Sequence, residues 1–304
     1  MNLEDLVKNY PKNEKMREID LVIDGGSFNG TYTTGGLILI KKLENLGYLK
    51  VVRISGCSVG SLLGVMYFNN NLDDGFVFDK KLRENLKDKL NLNLVKTLIK
   101  DEINKMDNDI FSEIKNDKLF IAYFNNGKNR KIKYMYKNKE ELINSLMKSC
   151  HVPYLIDNNY YCEKGDSIDG IYAHIFDKLE RETIFFDNTN ISTMFNLKNE
   201  INSSERLMEG MLKTHKLLLK NEPSNICNYL NNWNNTDYLK RNLKLFFAYI
   251  IVKIISTIHD FIILFNDLIF RNKDNNLIHG ELDCDLNNLF NNCLKKFCLS
   301  YIFS

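Results

Sequence analysis

The chain has 304 residues, 44% hydrophobic and 26% charged, which excludes a largely disordered polypeptide; such chains lack the apolar surface that offsets chain entropy. Lys and Arg together number 41 against 39 Asp and Glu, so a net charge of +2 gives no case for a nucleic-acid partner. Three Pro and 15 Gly exclude a Pro-rich or collagen-like protein, and the length fits one large α/β domain or about two smaller ones.

Residues 1–18 are charged throughout and read as a polar leader with one short helix. They hold no apolar stretch of the secretory-signal type. Seven cysteines (Cys57, Cys150, Cys162, Cys227, Cys284, Cys293 and Cys298) form no C-x-x-C pair. Reduced thiols, an intracellular and cytoplasmic location and no zinc site are therefore expected.

A short apolar run, Ile19 to Ile23, ends at Asp24-Gly25-Gly26 and predicts a buried strand. Leu37 to Gly47 has helical spacing, with Gly47 placed as a C-cap glycine. Tyr48 to Ile54 predicts a second strand, and Val59 to Phe68 a second helix. Strand, glycine turn, helix, repeated, is the pattern of an α/β fold with a parallel sheet. Residues 72–118 are helical in pattern and heavily charged. Two β-rich runs, 119–124 and 131–136, flank Asn125-Asn126-Gly127-Lys128, and Asn-Gly in that setting predicts a hairpin. Glu140 to Ser149 predicts a helix, and Tyr160 to Cys162 a short strand. Beyond about 185 only helices with Asn-rich connections are expected.

Gly56-Cys57-Ser58-Val59-Gly60 follows a predicted strand and opens a predicted helix. A serine on such a sharp turn is pushed out of the backbone surface, and the flanking Gly56 and Gly60 permit the close packing. The helix N-terminus then aims its amides at the serine. Read alone, the pentapeptide also fits a plain strand-to-helix turn with a serine N-cap. The loop from Asp24 to Gly30, with Gly35-Gly36 after it, has two readings. A dinucleotide fingerprint would need glycine at Ser27 and an acidic residue about 20 residues on. The other reading is an oxyanion loop of free backbone amides. No Gly-Lys-Ser/Thr of a P-loop is present, and no cofactor is expected. Asp169-Gly170, taken alone, is a turn dipeptide. His151, His174, His215, His259 and His279 show no metal-ligand spacing, so no metal is expected.

In combination, D-G-G-x-x-x-G, a strand with G-x-S-x-G, and a later D-G resemble the patatin-like phospholipases. The helix between the glycine loops, the 119–136 hairpin and the stretch from Ser149 to Tyr161, with Pro153, also resemble that family. The likeness covers about residues 19–185. It implies an α/β domain with a mostly parallel sheet flanked by helices over 19–185; the residue pattern beyond it gives a helical C-terminal extension over 186–304. It further implies a lipid acyl hydrolase with Ser58 as nucleophile and Asp169 as its partner. Gly25, Gly26 and Ser27 would supply oxyanion donors, and no histidine would be catalytic. Three positions depart from the family's wording: Ser27 for glycine, Asn29 for arginine, and Ile171 for glycine or alanine. They motivate an alternative, a catalytically silent lipid-binding or scaffolding protein.

A lipid ester substrate requires contact with lipid. Six basic residues over Lys128 to Lys139, with no acid among them, suggest peripheral contact with an anionic membrane. Leu243 to Arg271 is the most apolar stretch, but Lys253, His259, Asp260 and Asp267 interrupt it. It therefore fails as an uncharged span of about 20 residues. A helix covering the domain core is the expectation, and a helix at a membrane interface the alternative.

Overall fold

The computed structural model describes residues 3–257 except 9, 12–15, 90–91, 126–128, 154, 158, 163–166, 191–202, 248, 251–252 and 255–256. Most of the Leu243–Arg271 stretch, with His259, His279 and the last three cysteines, lies outside the described residues, as do the tip of the hairpin and Lys128.

Among the described residues seven strands form one sheet: β1 (Arg17–Ile23), β2 (Leu49–Cys57), β3 (Asn116–Asn125), β4 (Asn129–Met135), β5 (Ser167–Asp169), β6 (Glu182–Phe186) and β7 (Cys227–Tyr229). Their order is β4-β3-β2-β1-β6-β7, and β5 pairs with β3. The central pairings β3-β2, β2-β1 and β1-β6 are parallel. The pairings of β4 and β5 with β3, and of β7 with β6, are antiparallel. The sheet is thus mixed, which corrects the expectation of a mostly parallel one. The reason lies at the edges, where a hairpin and two three-residue strands add on without the helical crossover that a parallel pair needs.

β1 carries its two faces into different cores. Ile19, Leu21 and Ile23 enter the large core under the helices α2 (Gly30–Asn45), α3 (Val59–Phe68), α5 (Leu94–Lys105) and α7 (Lys139–Ser149), which α4 (Leu72–Lys89) and α6 (Asn108–Ile114) join through Leu72 and Ile114. Val22 enters a smaller core on the other face with Phe176, Phe185 and Leu230. Burial on both faces is why the run reads as continuously apolar. The exception, Asp20, is fully buried and accepts from Arg53 Nε at 2.8 Å, while the Arg53 guanidinium lies 3.9 Å from the Phe176 ring centroid.

Three local expectations change. The first helix starts at Gly30, not Leu37, so Gly35 and Gly36 are interior to α2. A Cβ at Gly35 would strike the Leu207 carbonyl, and one at Gly210 the Tyr32 carbonyl. These glycines let α2 and the helix Ser203–Lys220 cross at backbone contact, a packing role that no local pattern announces. Tyr160 to Cys162 is not a strand. Tyr160 packs with Phe124 and Ile168, and Cys162 N donates to Ser167 O at 3.0 Å, so the segment is a turn feeding β5. The region beyond 186 is not helical alone, because β7 extends the sheet and Met211 and Leu217 sit in the main core. The division expected at 185/186 therefore does not split the core. At the other end, Leu6 and Val7 of α1 (Leu3–Val7), within the 1–18 leader, are also buried there. Among the described residues no helix is long and apolar enough to cross a membrane.

Candidate active site

The sheet register assembles the site. Ile23 stands opposite Gly56 and also opposite Phe186, so the glycine loop leaves β1 beside the turn that ends β2. Cys57 stands opposite Ala122, and Asp169 opposite the next residue, Tyr123. β3 thereby sets Ser58 and Asp169 on adjoining rungs at the C-terminal edge of the parallel strands. That edge is where open α/β sheets hold their ligands.

Ser58 is the N-cap of α3 with φ 51° and ψ −128°. A non-glycine residue there is strained, and such strain is held where the surroundings over-determine it. A Cβ at Gly56 would lie 2.5 Å from Gly60 O, and one at Gly60 would strike Ile23 O. Both flanking glycines are thus required by close backbone approach. Ser58 O accepts from Ser61 N at 3.0 Å and from Ser61 Oγ at 2.7 Å. Ser58 N donates to Ser149 Oγ at 2.9 Å, and that hydroxyl donates to Ala122 O at 2.7 Å. The turn is therefore locked from both sides, and the Ser58 side chain is free to face the cavity.

The Ser58 side chain stands beside the Asp169 carboxylate, and both line one cavity. Asp169 Oδ1 accepts from Ile171 N at 2.7 Å and from Cys57 Sγ at 3.6 Å. Burial pushes the carboxyl up from 3.8 to about 6, against the lowering effect of these donors. Desolvation disfavours the charged form and makes the carboxylate a better base than an exposed one.

Ile171, with φ 61°, is a β-branched residue in left-handed backbone. It ties Asp169 to the glycine loop, because its carbonyl accepts from Gly25 N at 2.9 Å. Gly25 N–H is consequently engaged, which removes it from the expected oxyanion donors. Among the described residues, Gly26 N–H and Ser27 N–H have no acceptor, and both residues line the cavity beside Ser58. The first-turn amides of α3, at Val59 and Gly60, have no intrahelical acceptor either. Ser27 takes φ 46°, so the residue that departs from glycine pays a backbone strain to hold the loop's shape.

Arginines from distant parts of the chain surround Asn29 and Phe28. Asn29 is buried and donates to Asn188 O and Asn190 O at 2.8 and 2.9 Å. Arg206 Nη1 donates to Asn29 Oδ1 and Phe28 O, each at 3.2 Å. Arg83 Nη2 reaches Phe28 O at 3.3 Å, and its guanidinium lies 4.6 Å from the Phe28 ring centroid. A third arginine, Arg241, clamps the fully buried Asp24: Nη2 donates to Oδ1 at 2.7 Å and Nη1 to Oδ2. Asp24 Oδ1 also accepts from Ala173 N at 2.8 Å, and Arg241 Nη2 donates to Ala173 O at 3.1 Å. The glycine loop and the Asp169–Ala173 turn are thereby joined through one buried ion pair. Asn188, Arg83, Arg206 and Arg241 escape the motif reading, and Ser149 opens one of its stretches without a role assigned there. The one sequence signal is that Arg is far scarcer than Lys here, and a buried bidentate pair favours Arg.

His151 and His174, the histidines nearest Asp169 in sequence, are not among the residues that line the cavity. His151 Nε2 lies 3.2 Å from both Asn159 O and Tyr160 O, and the His174 ring stacks near Phe120. Burial lowers the pKa of both imidazoles. Among the described residues no His, Cys, Asp and Glu cluster could hold a metal ion.

Ser58 and Asp169 open onto a cavity of about 640 Å³, within the size range of ligand sites. Beyond the dyad its walls are mostly apolar, including Phe28, Leu62, Leu63, Met66, Leu82 and Leu98. No protein-family model matches the chain, and no curated protein matches it.

Proposed function

We propose that the protein is a lipid acyl hydrolase that works through a Ser58–Asp169 dyad. The observation that carries the reading is a strained serine beside a buried carboxylate of raised pKa, both lining an apolar cavity with two free backbone amides.

In this reading the acyl chain lies in the apolar cavity, and its ester carbonyl sits over Ser58. Ser58 Oγ attacks the carbonyl carbon while Asp169 accepts the hydroxyl proton. The tetrahedral oxyanion is held by Gly26 N–H and Ser27 N–H, with the dipole of α3 adding to the field. Collapse breaks the ester C–O bond, and Asp169 returns its proton to the departing alcohol. Water then attacks the acyl-serine, giving its proton to Asp169; the bond from the acyl carbon to Ser58 Oγ breaks, Asp169 returns the proton to Oγ, and a fatty acid leaves. No step calls on a metal or cofactor.

The base must be ionised, which fixes the pH response. With a carboxyl near 6, kcat/KM for a monomeric ester is expected to rise about tenfold per pH unit below 6 and to level off above it. A pH–rate profile from 4.5 to 8 checks this. A flat profile over that range would remove Asp169 as the base.

A further inference from the structure

The helix over 235–247 is built with its polar residue inward. A surface helix ordinarily turns an apolar stripe to the core and polar residues to water. Here the inward residue is Arg241, 5% exposed and ion-paired with Asp24. At about 100° of rotation per residue, Leu239, Leu243, Phe246 and Phe247 fall within a stripe about 100° wide on the side away from Arg241. Their exposures are 57%, 46%, 56% and 58%. Ile254, further along, is 53% exposed.

The buried ion pair thus fixes the inward face of the helix, with Tyr238 packed on Trp233 beside it. The outward stripe is continuous with the active site, because Lys244 and Phe247 are exposed and also line the cavity of Ser58. The exposed cations are Lys240, Lys253 and Lys244, the last 3.3 Å from Asp187, and the helix holds one acid, Asp237, at its start. An apolar stripe flanked by cations is the pattern of a helix lying in a lipid interface. Lysines near that surface favour anionic headgroups.

The basic hairpin is less available for this task. Arg130 donates inward to Tyr172 O at 2.7 Å, Lys133 pairs with Glu141 at 2.7 Å, and Lys139 donates to Met106 O.

We infer that the 235–247 helix is the surface on which the protein docks to an anionic lipid layer. Leu239, Leu243 and Phe246 enter the acyl boundary, Lys240 sits at headgroup level, and the ester passes by Phe247 into the cavity. The substrate route rests on the acyl-hydrolase reading, whereas the docking is measured without turnover.

The test uses the full chain carrying Ser58→Ala, so that no lipid is consumed during binding. It is sedimented with vesicles of phosphatidylcholine alone and of phosphatidylcholine with phosphatidylglycerol. Adding Leu243→Glu and Phe246→Glu is expected to weaken binding to the mixed vesicles by at least about tenfold. Lys131→Glu with Lys133→Glu is expected to leave it within about twofold. Lys240→Glu alone, a milder change, is expected to weaken binding to mixed vesicles and not to neutral ones. With Ser58 restored, the Leu243/Phe246 variant is expected to keep its turnover of a monomeric ester and its melting temperature.

Sedimentation of that variant equal to the parent's would overturn the inference. So would a fall in its melting temperature, which would mean that the chain's own residues cover the stripe. A change from dimer to monomer with vesicle binding intact would assign the face to a second copy and also overturn it. Loss of monomeric-ester turnover in the unsubstituted chain would instead count against the hydrolase reading and leave the docking result standing.

Discussion

Replacing Asp169 by Asn is expected to lower ester turnover by about 10²–10⁴-fold, the range a positioned general base contributes. The amide cannot take the Ser58 proton. The fold is expected to survive, because the amide oxygen can still accept from Ile171 N and Cys57 Sγ. The melting temperature should hold or rise, since burial disfavours the charged carboxylate that the change removes. His151→Ala and His174→Ala should each cost less than about tenfold in turnover, because neither imidazole acts as base in this account. Parallel kinetics and thermal melts of the three variants decide the matter. A histidine variant as slow as Asp169→Asn would turn the dyad into a triad.

Arg241→Leu is the second large effect. It leaves Asp24, which is fully buried, without its cation. Removing one partner of a buried pair costs about 3–5 kcal/mol, because the other charge stays desolvated and uncompensated. The Arg241 guanidinium also lies 4.7 Å from the Tyr172 ring centroid and 5.1 Å from that of Phe185, so packing is lost as well. Turnover should fall with stability, since Asp24 and Arg241 join the glycine loop to the Asp169 turn. Adding Asp24→Asn should recover part of the stability by removing the stranded charge, and a double-mutant cycle in urea measures that coupling. Equal stability of Arg241→Leu and the parent chain would mean that the pair does not hold the loop.

The parts of the site legible in the sequence are those carried by short, continuous stretches. Ile19 to Ile23 and the following glycines give β1 and its loop, and Val59 to Phe68 gives α3 residue for residue. The Asn-Gly signal gives the β3–β4 pairing because turn chemistry and strand propensity agree there. What stayed hidden depends on partners far along the chain. β5 has three residues and becomes a strand only because β3 offers an edge. Gly35 and Gly210 look like weak helix positions until the two helices are seen to touch. Asn29 looks like a lost cation until Arg206 and Arg83 are placed beside it, and Ile171 a poor turn residue until its amide and carbonyl are seen to bridge Asp169 and Gly25. Motifs fix where backbone must be strained or tight, whereas the groups that hold that strain come from wherever the fold has room.

Covalent labelling tests the central claim most directly. A fluorophosphonate reacts with a serine only when a base and oxyanion donors activate it. The account predicts one label on the unmodified chain, found by peptide mass spectrometry on Ser58. It predicts no label and no ester turnover in Ser58→Ala, with an unchanged melting temperature. An unlabelled parent chain, or a Ser58→Ala protein that still hydrolyses lipid esters, would contradict it; the former would favour a silent lipid-binding protein on the same fold.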